Sequence, residues 1–353
     1  MKYRKLGKSD LKVSVIGLGT GQIGSRPWGY GIGFGNEDII KVIRYAIELG
    51  INVFDTAETY GYGKSEMLLG KALNSHDRDD FVIVSKVAPW NLRYKNVIKA
   101  AKRSLRRLNI DTIDLYLVHH PNPLIPIKET FRAMERLIKD GKVRYIGVSN
   151  FSGYMLEKAE ENLSSTEIVV DEIEYNILSR RAEKEIAPYC ERQNIGIIAY
   201  SPLAGGVLTG RYSFSNPPRD RARAFNFLAR RTFLEKAQPL FKVLREIAEE
   251  KRASVAQVAL SWIISRHSLC VAIPAALTYE QVEDNAKAGD LILSSEDIGR
   301  IDKVAVSLGS SGYVFDHYVI RPISWMKETI KHFLFHPEEK IMVSRLNAHK
   351  HYM

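Results

Sequence analysis

Short apolar runs alternate with longer amphipathic segments along most of the chain. The apolar runs are rich in β-branched residues and bounded by turn-forming residues, which is typical of buried strands. Helix-period segments lie between them, most clearly at 37–49, 96–108, 127–140 and 182–194. Eight apolar runs are present: VSVIGLG (13–19), INVFDTA (51–57), FVIVSKV (81–87), DLYLVHH (114–120), RYIGVSN (144–150), IVVDEIEYN (168–176), IGIIAYSPL (195–203) and VAIPA (271–275). The pattern predicts parallel strands joined by crossover helices.

This eightfold alternation predicts an α/β fold, a closed (β/α)8 TIM barrel, over residues 1–308 as a single domain. A doubly wound sheet is the alternative, but it would require a second domain, and the sequence shows no boundary for one. The segment YRKLGKSDLKVSVIG (3–17) precedes the barrel. It predicts an N-terminal β-hairpin that turns near residues 7–10 and covers the bottom of the barrel.

The βα pattern stops near residue 308. We expect residues 309–353 to form a C-terminal extension packed on or near the barrel, with an amphipathic helix at 324–335. A long loop rich in Gly, Pro and Arg occupies residues 204–232, after the seventh strand. Long loops of this kind in compact domains are usually functional or disordered.

Composition limits the class of protein. Hydrophobic residues make up 45% of the 353 residues, and no apolar run is long enough to span a bilayer. Charged residues interrupt the start of the chain, which argues against a signal peptide. We therefore expect a cytoplasmic protein with no membrane partner. Cys190 and Cys270 lie far apart in apolar contexts, so we expect two reduced thiols and no metal site.

The formal net charge of +10 is compatible with an anionic partner, either a phosphate-bearing cofactor or nucleic acid. The basic residues are scattered over helices and interleaved with acids, so we expect no nucleic-acid partner. The densest basic runs are 102–107 and 219–231. The second run lies in the long loop, where it is placed to approach a bound anion.

The motif GTGQIG (19–24) matches the glycine pattern of a dinucleotide-binding turn and follows a strand. A Rossmann turn also needs a helix that opens at the last glycine, and RPWGYGIGFG comes next instead. We therefore expect these glycines to admit a substrate or cofactor close to the backbone.

Polar residues at the C-terminal ends of barrel strands point towards the active site of this fold. Asp55, Lys86 and His119 end three successive strands, and Tyr60 lies in the loop after the first of them. A phenol is a weak acid at neutral pH, and a nearby ammonium such as Lys86 is expected to lower its pKa. Asp55 would keep that ammonium charged, and His119 would orient a carbonyl oxygen. Each residue alone also has a structural explanation; Asp55, for example, could cap the next helix. The four residues together suit the protonation of a carbonyl oxygen as hydride arrives from a cofactor.

Seven ordered motifs in residues 1–305 resemble the aldo-keto reductase superfamily, most closely its sugar and aldehyde reductases and potassium-channel β subunits. The motifs are NVFDTAETYGYGKSE, VSKV, DLYLVHH, RYIGVSNF, EYN, AYSPLAGGVLTGRY and the IP…EQVEDN segment at 273–285. The resemblance implies an NAD(P)-dependent oxidoreductase that interconverts a carbonyl (aldehyde, ketone or sugar) and an alcohol. It also implies a catalytic tetrad of Asp55, Tyr60, Lys86 and His119, with Tyr60 as general acid/base.

The resemblance also implies cofactor contacts at the strand ends. Ser149 and Asn150 would hold the nicotinamide carboxamide, and Tyr200 would stack on the ring. The remaining positions expected to line the cofactor are Gly19, Thr20, Glu172, Ser201, Leu203, Gly205, Gly206, Leu208, Gly210, Arg211, Ile273, Ala275, Gln281, Asp284 and Asn285.

Two positions depart from the family pattern. Glu172 replaces the usual Gln before EYN, so a carboxylate would face the nicotinamide amide. No Lys or Arg follows Pro274 to pair with the 2′-phosphate of NADP, and Gln281 stands where some members carry Arg. The cofactor is therefore NAD or NADP, with the missing cations favouring NAD. The Arg-rich run at 219–231 is a possible replacement.

Candidate substrate-pocket residues are Trp28, Tyr30, Trp90 and His120, and aromatic groups there suit a sugar face or an apolar aldehyde. Structural packing is the simpler explanation for each of them. The alternative function is a cofactor-sensing regulatory subunit, because channel β subunits retain the same tetrad. The expected partner is a small carbonyl or sugar substrate, and an oligomer is possible.

Overall fold

Eight parallel strands form the sheet that positions the site. The protein was analysed as a computed structural model, which describes residues 1–25, 28–213, 215–218 and 227–308. Each strand of this sheet arises from one of the eight predicted apolar runs. They are β3 (Leu18–Gly19), β4 (Val53–Asp55), β5 (Val82–Val87), β6 (Ile113–Val118), β7 (Val143–Ser149), β8 (Ile168–Glu174), β9 (Gly196–Tyr200) and β10 (Cys270–Ala272).

The strands lie side by side in sequence order from β3 to β10. Parallel bridges from Ile16 to Ala272 and from Gly19 to Ala275 then join the first strand region to the last. Gly17 N donates to Ala272 O over 2.8 Å, and Gly19 N donates to Pro274 O over 3.1 Å. A doubly wound sheet would reverse its strand order part-way. The (β/α)8 barrel prediction is therefore confirmed.

The predicted N-terminal hairpin is present as β1 (Tyr3–Lys5) and β2 (Lys12–Ser14), which pair antiparallel. Its side chains Leu6 and Leu11 belong to the same hydrophobic cluster as Val169 on β8. A Cβ on Gly7 would lie 2.5 Å from Gly196 N, at the start of β9, so the turn approaches the barrel backbone too closely for any side chain. The hairpin thus closes the N-terminal end of the barrel, as predicted.

Helices cover the outside of the sheet. Their bounds are α1 (Asn36–Glu48), α2 (Lys64–Leu73), α3 (Tyr94–Leu108), α4 (Ile127–Lys139), α5 (Gly153–Glu160), α6 (Ile186–Gln193), α7 (Arg231–Lys236), α8 (Gln238–Glu250), α9 (Val255–Arg266), α10 (Tyr279–Lys287) and α11 (Ser295–Leu308). Each amphipathic helix buries its apolar stripe; on α4 that stripe includes Phe131, Met134 and Leu137. The predicted helix at 182–194 forms only from Ile186, after a short 3-10 turn at Arg181–Glu183.

The first predicted strand is divided between two sheets. Its first part, residues 12–14, is β2 and pairs with β1 in the hairpin. Only Leu18–Gly19 pair with β4, because the chain changes neighbours between Val15 and Gly17. The predicted loop at 204–232 also contains 3-10 turns at Ala204–Thr209 and Phe227–Ala229 and the start of α7. Cys190 and Cys270 are both free and buried, as predicted.

The predicted extension at 309–353, with its helix at 324–335, lies outside the described residues, so it stays a prediction. Most of the Arg-rich run at 219–231 lies outside them too. Within the described part of the chain, none of the helices combines the length and the hydropathy needed to cross a membrane.

Candidate active site

The centre of the site is the ammonium of Lys86, which lies inside the barrel near the C-terminal end of β5. Its Nζ donates a short hydrogen bond to Asp55 Oδ2 on β4 and another to the carbonyl oxygen of Thr56 over 3.0 Å. Glu172 Oε2 on β8 lies 3.2 Å from the same Nζ. All three ionisable side chains are at most 3% exposed. One buried cation therefore has two carboxyl groups as partners.

The surroundings keep Lys86 charged. Burial works against the ammonium, but the charges of Asp55 and Glu172 outweigh it and raise the pKa of Lys86. Burial, the charge of Asp55 and a hydrogen bond to Asp55 raise the pKa of Glu172 well above its usual range. Burial raises the pKa of Asp55 as well, although the charge of Lys86 opposes that rise. The predicted pairing of Asp55 with Lys86 is present. The alternative explanation, that Asp55 caps α2, does not hold, because the N-cap residue of α2 is Gly63 and no side chain caps it.

Tyr60 is brought to Lys86 by a tightly curved loop. Gly61, Tyr62 and Gly63 follow it, all with left-handed backbone at φ of 55°, 56° and 87°. A Cβ on Gly61 would lie 2.7 Å from the carbonyl oxygen of Ile23, so glycine is required there by space as well as by conformation. The ring centroid of Tyr60 lies 5.1 Å from Lys86 Nζ. The glycines of this loop thus place the phenol beside the ammonium.

The net direction of the Tyr60 pKa differs from the sequence expectation. Burial of the hydroxyl raises the pKa above its ordinary value, and the charges of Asp55 and Glu172 raise it further. Lys86 opposes this rise through its charge and a hydrogen bond, as predicted, but does not overcome it. The prediction of a lowered pKa was wrong because it omitted burial and the second carboxyl group.

His119 completes the group of four residues. Its ring lies edge-on to Tyr60, with ring centroids 5.5 Å apart, and stacks on His120 at 5.0 Å. The hydroxyl of Thr59 lies 3.3 Å from His119 Nδ1. The structure therefore brings Asp55, Tyr60, Lys86 and His119 together, and an imidazole and a phenol face the same space.

Between the sheet and helices α2 and α3 lies a set of polar contacts that the sequence analysis missed. Glu66, fully buried, accepts from Ser85 Oγ and from Arg107 Nε, each over 2.6 Å. Glu58 accepts from Ala88 N over 2.8 Å and pairs with Arg103 at 3.1 Å. The two arginines are four residues apart on α3, so they share one face of that helix. That spacing in the basic run 102–107 was the available signal for an internal role.

Gly19 and Thr20 support the site from β3. Gly19 pairs with Asp55 in the sheet. Thr20 Oγ1 donates to the carbonyl oxygen of Asp55 over 2.7 Å and lies 2.6 Å from Ser65 Oγ. Thr20 is buried, and these described contacts occupy its hydroxyl, so it braces the strand end that carries Asp55.

At the ends of β7 and β9, the predicted nicotinamide contacts form one hydrogen-bond network. Ser149 Oγ donates to the carbonyl oxygen of Glu172 over 2.9 Å, and Asn150 Nδ2 donates to Ser149 Oγ over 2.8 Å. Tyr200 donates its hydroxyl to Asn150 Oδ1 over 2.8 Å. Only the backbone of Glu172 joins this network. Its carboxyl group points to Lys86, because inward-facing positions of β5 and β8 converge inside the barrel. The predicted contact of this carboxyl group with the nicotinamide amide stays a prediction.

A glycine-rich turn follows β9. The segment Ala204–Thr209 forms a 3-10 turn in which Gly205 and Gly206 have φ of 68° and 95°, and Gly210 ends it at 74°. Leu203 accepts hydrogen bonds from the backbone of Gly206 and Leu208, and Ser201 itself has φ of 50°. Leu208 is buried, whereas Arg211 is exposed at the end of the turn. A turn of this kind can bring backbone N–H groups close to an anion.

The segment after β10 carries the remaining predicted contacts. Ile273 is buried and Ala275 bridges to Gly19, so both lie on the barrel edge. Gln281 Oε1 accepts from Leu277 N over 2.8 Å. Asp284 accepts from Ser254 and Gln257, and Asn285 donates to the carbonyl oxygen of Ala275 over 3.4 Å.

The substrate-pocket candidates are distributed over three loops. Tyr30 is buried, packs edge-on against Phe34 and donates its hydroxyl to Asn36, and Lys64 Nζ at the start of α2 lies 4.7 Å from the centroid of its ring. His120 stacks on His119. Trp28 and Trp90 are partly exposed in the loops after β3 and β5. Their role in substrate contact stays a prediction.

Comparison with known proteins gives this geometry a family. The sequence model described as Aldo/keto reductase family matches residues 15–306. The chain belongs to the aldo/keto reductase family. It is 41% identical over 286 residues to an uncharacterized oxidoreductase of Mycobacterium tuberculosis (strain ATCC 25618 / H37Rv), covering 81% of this chain and 87% of that protein.

Two further comparisons extend the match. A probable voltage-gated potassium channel subunit beta of Arabidopsis thaliana is 33% identical over 313 residues, covering 83% of this chain and 92% of that protein. The solved structure of an aldo/keto reductase from Klebsiella pneumoniae in complex with NADP and acetate superposes with a TM-score of 0.69 at 31% identity, covering 86% of this chain and 95% of that one. The aldo/keto reductase assignment places the chain among nicotinamide-dependent oxidoreductases.

The donor set of this chain fits a nicotinamide cofactor. The Ser149 hydroxyl and the Asn150 amide are uncharged hydrogen-bonding groups suited to a carboxamide, and the Tyr200 ring lies beside them. Gly205 and Gly206 lie in a part of the backbone where a Cβ would be strained, which leaves the turn open to a phosphate. The residues thus suit an extended dinucleotide lying across the C-terminal end of the barrel.

Proposed function

We propose that the protein interconverts a carbonyl compound (an aldehyde, ketone or sugar) and the corresponding alcohol, with Tyr60 as the general acid/base. The observation that carries this proposal is the placement of one phenol and one imidazole around a buried, charged Lys86. The Tyr60 ring lies 5.1 Å from the ammonium and 5.5 Å from the His119 ring. A nicotinamide cofactor, when bound, supplies the hydride.

Each residue of the tetrad has a separate task in this proposal. Tyr60 donates a proton to the carbonyl oxygen during reduction and takes one back during alcohol oxidation. Lys86 stabilises the phenolate that is left after donation, and Asp55 keeps Lys86 charged. His119 donates a hydrogen bond to the carbonyl oxygen and holds it towards Tyr60. Ser149, Asn150 and Tyr200 hold the nicotinamide end of the cofactor.

We further propose a preference for NAD over NADP. Gln281 turns its side chain back so that its Oε1 accepts from Leu277 N over 2.8 Å, and a neutral amide stands where a cation would serve a 2′-phosphate. A lost charge-assisted hydrogen bond costs about 1.5 to 3 kcal/mol, or about ten- to a hundredfold in affinity. The Klebsiella pneumoniae neighbour was solved with NADP, which makes the comparison of the two cofactors informative.

A second candidate is a cofactor-sensing regulatory subunit with slow turnover. It is favoured by the 33% identity to a probable voltage-gated potassium channel subunit beta of Arabidopsis thaliana. A sensor of cofactor state needs the same groups to hold the cofactor, Ser149, Asn150 and Tyr200, so these residues serve either candidate.

Single-turnover kinetics separate these proposals. Protein loaded with reduced cofactor is mixed with a panel of aldehydes, ketones and sugars, and oxidation of the cofactor is followed by absorbance. We expect turnover with at least one substrate, its loss in Tyr60→Phe with cofactor affinity retained, and no change in the exposed control Tyr154→Phe. Unchanged turnover in Tyr60→Phe contradicts the assignment of the general acid. No oxidation by any substrate favours the regulatory subunit.

A further inference from the structure

The feature that the proposed mechanism leaves unexplained is the second carboxyl group on Lys86. Glu172 Oε2 lies 3.2 Å from Lys86 Nζ, and within the described residues this oxygen has no aligned hydrogen bond. Asp55 already receives a short hydrogen bond from the same ammonium. Neutralising the cation requires only one carboxylate, so Glu172 adds an acid that the ion pair does not need.

Burial decides the protonation of this group. Lys86, Asp55 and Glu172 are all at most 3% exposed, and two carboxylates with one ammonium would leave an uncompensated negative charge away from water. Such a charge is costly, and a buried acid normally takes up a proton instead. The two carboxyl groups lie within hydrogen-bonding reach of each other, so one proton can be shared between them.

The charge of Glu172 affects the ionisation of Tyr60 through Lys86. The titratable or charged groups around Glu172 are Asp55 from β4, Lys86 from β5, Tyr60 from the following loop and Asp171, the preceding residue on β8. Lys86 is the only cation among these described groups, and it is the group that stabilises the Tyr60 phenolate. A negative charge on Glu172 offsets that stabilisation, because like charges in a buried site disfavour ionisation.

The geometry points to Glu172 as a positioning residue that acts on Tyr60 through Lys86 and extends the pH range over which Tyr60 remains a proton donor. The site is thereby suited to carbonyl reduction, which consumes a proton from Tyr60, over alcohol oxidation, which needs the phenolate. As the shared proton leaves at rising pH, Glu172 becomes charged and holds the phenol protonated. This inference rests on the proposed role of Tyr60.

The test compares Glu172→Gln with the wild type across pH in both directions of the reaction. We expect the basic limb of kcat/KM for carbonyl reduction to move to lower pH in Glu172→Gln, and alcohol oxidation to become faster at the higher pH values where Glu172 of the wild type is charged. Each unit by which the limb moves changes kcat/KM on that limb by about tenfold. Glu167→Gln, at the other end of β8 with 64% side-chain exposure, is the matched control and should leave both profiles unchanged.

Two further measurements make the outcome decisive. Isothermal titration of the cofactor should give the same Kd for Glu172→Gln and wild type; a changed Kd with unmoved pH profiles would mean that Glu172 contacts the cofactor and would overturn the inference. Infrared spectra of the cofactor-free protein should lose one protonated-carboxyl band in Glu172→Gln, and an unchanged spectrum would also overturn the inference.

If Glu172→Gln does not fold, Glu172→Leu removes the carboxyl group at similar volume and should move the same limb of the pH profile. Tyr60→Phe distinguishes the failures, because retained turnover there refutes the proposed function itself.

Discussion

The hydroxyl of Tyr200 donates to Oδ1 of Asn150 over 2.8 Å, linking the ends of β9 and β7. Asn150 has a left-handed backbone, at φ of 64°, and its amide nitrogen donates to the carbonyl oxygen of His119 over 3.1 Å. This asparagine is thus held in one orientation by contacts to the end of the adjacent β6 and to the end of β9, two strands away. The residues proposed to hold the nicotinamide are therefore fixed by hydrogen bonds within the protein.

Removing that hydroxyl tests this preorganisation. We expect Tyr200→Phe to weaken cofactor binding by about two- to tenfold, because one hydrogen bond contributes about 0.5 to 1.5 kcal/mol and the ring is retained. Isothermal titration measures the change in Kd. Tyr145→Phe is the control, since it removes a hydroxyl that accepts from Asp10 N at the opposite end of the barrel. Equal effects of the two substitutions would contradict a local role for Tyr200.

A pair of glycine substitutions tests the loop that carries Tyr60. Gly63 has φ of 87°, and a Cβ there would lie 2.6 Å from the guanidinium group of Arg107. Gly141 has φ of 65° with nothing near its Cβ position. Gly141→Ala therefore reports backbone strain alone, about 1 to 2 kcal/mol. We expect Gly63→Ala to lower the free energy of unfolding by more than this, and to reduce turnover by displacing the Arg107 to Glu66 ion pair. Chemical denaturation measures the free energy of unfolding of both variants. Equal losses would show that the contact with Arg107 does not affect stability.

The stability of the protein should depend on pH through Glu172. Burial and the charge of Asp55 raise its pKa in the folded state, so above the unfolded value the folded protein binds more protons than the unfolded chain. Stability then falls as pH rises, by at most about 1.4 kcal/mol per pH unit, until the folded pKa is passed. Glu172→Gln removes this loss. The free energy of unfolding of the variant relative to that of the wild type should therefore increase with pH from about 4.5 upwards.

Denaturant unfolding at a series of pH values measures the difference. The buried Asp171 also has a raised pKa, but it is present in both proteins and contributes to both curves. Parallel curves for wild type and Glu172→Gln would mean that Glu172 is charged in the folded protein.

The cofactor preference can be tested by restoring the missing cation. We expect Gln281→Arg to strengthen NADP binding by about tenfold or more and to leave NAD binding nearly unchanged, because a charge-assisted hydrogen bond contributes about 1.5 to 3 kcal/mol. Gln193→Arg adds the same charge at the exposed end of α6 and controls for the net charge of the protein. A wild type that already prefers NADP would refute the proposed preference.

The sequence was sufficient for the order of the strands and for the four residues at the centre. Apolar periodicity located all eight barrel strands, and Asp55, Lys86 and His119 could be placed together because strand ends of a barrel converge. Tyr60 could be placed near them because it lies in the loop directly after the strand of Asp55. These predictions depend only on local pattern and on the rules of one fold.

The partners of Glu172 and Glu66 were not predictable in the same way. Glu172 meets Lys86 across the inside of the barrel, between strands that are not neighbours, and this depends on register and tilt. Glu66 meets Arg107 from another helix. The rise in the Tyr60 pKa had the same origin, since burial and the second carboxyl group both follow from three-dimensional packing.

The seam between the first and last barrel strands has a consequence for how the chain folds. Gly19 and Ala275 pair across it, yet they come from opposite ends of the barrel sequence. Contacts of such long sequence separation carry a large loop-closure cost and form late. During synthesis the open edge of β3 therefore stays unpaired until β10 and the residues after it, near the end of the barrel sequence, have emerged. Exposed sheet edges invite pairing with other chains, so this interval is when the nascent protein is most vulnerable to aggregation.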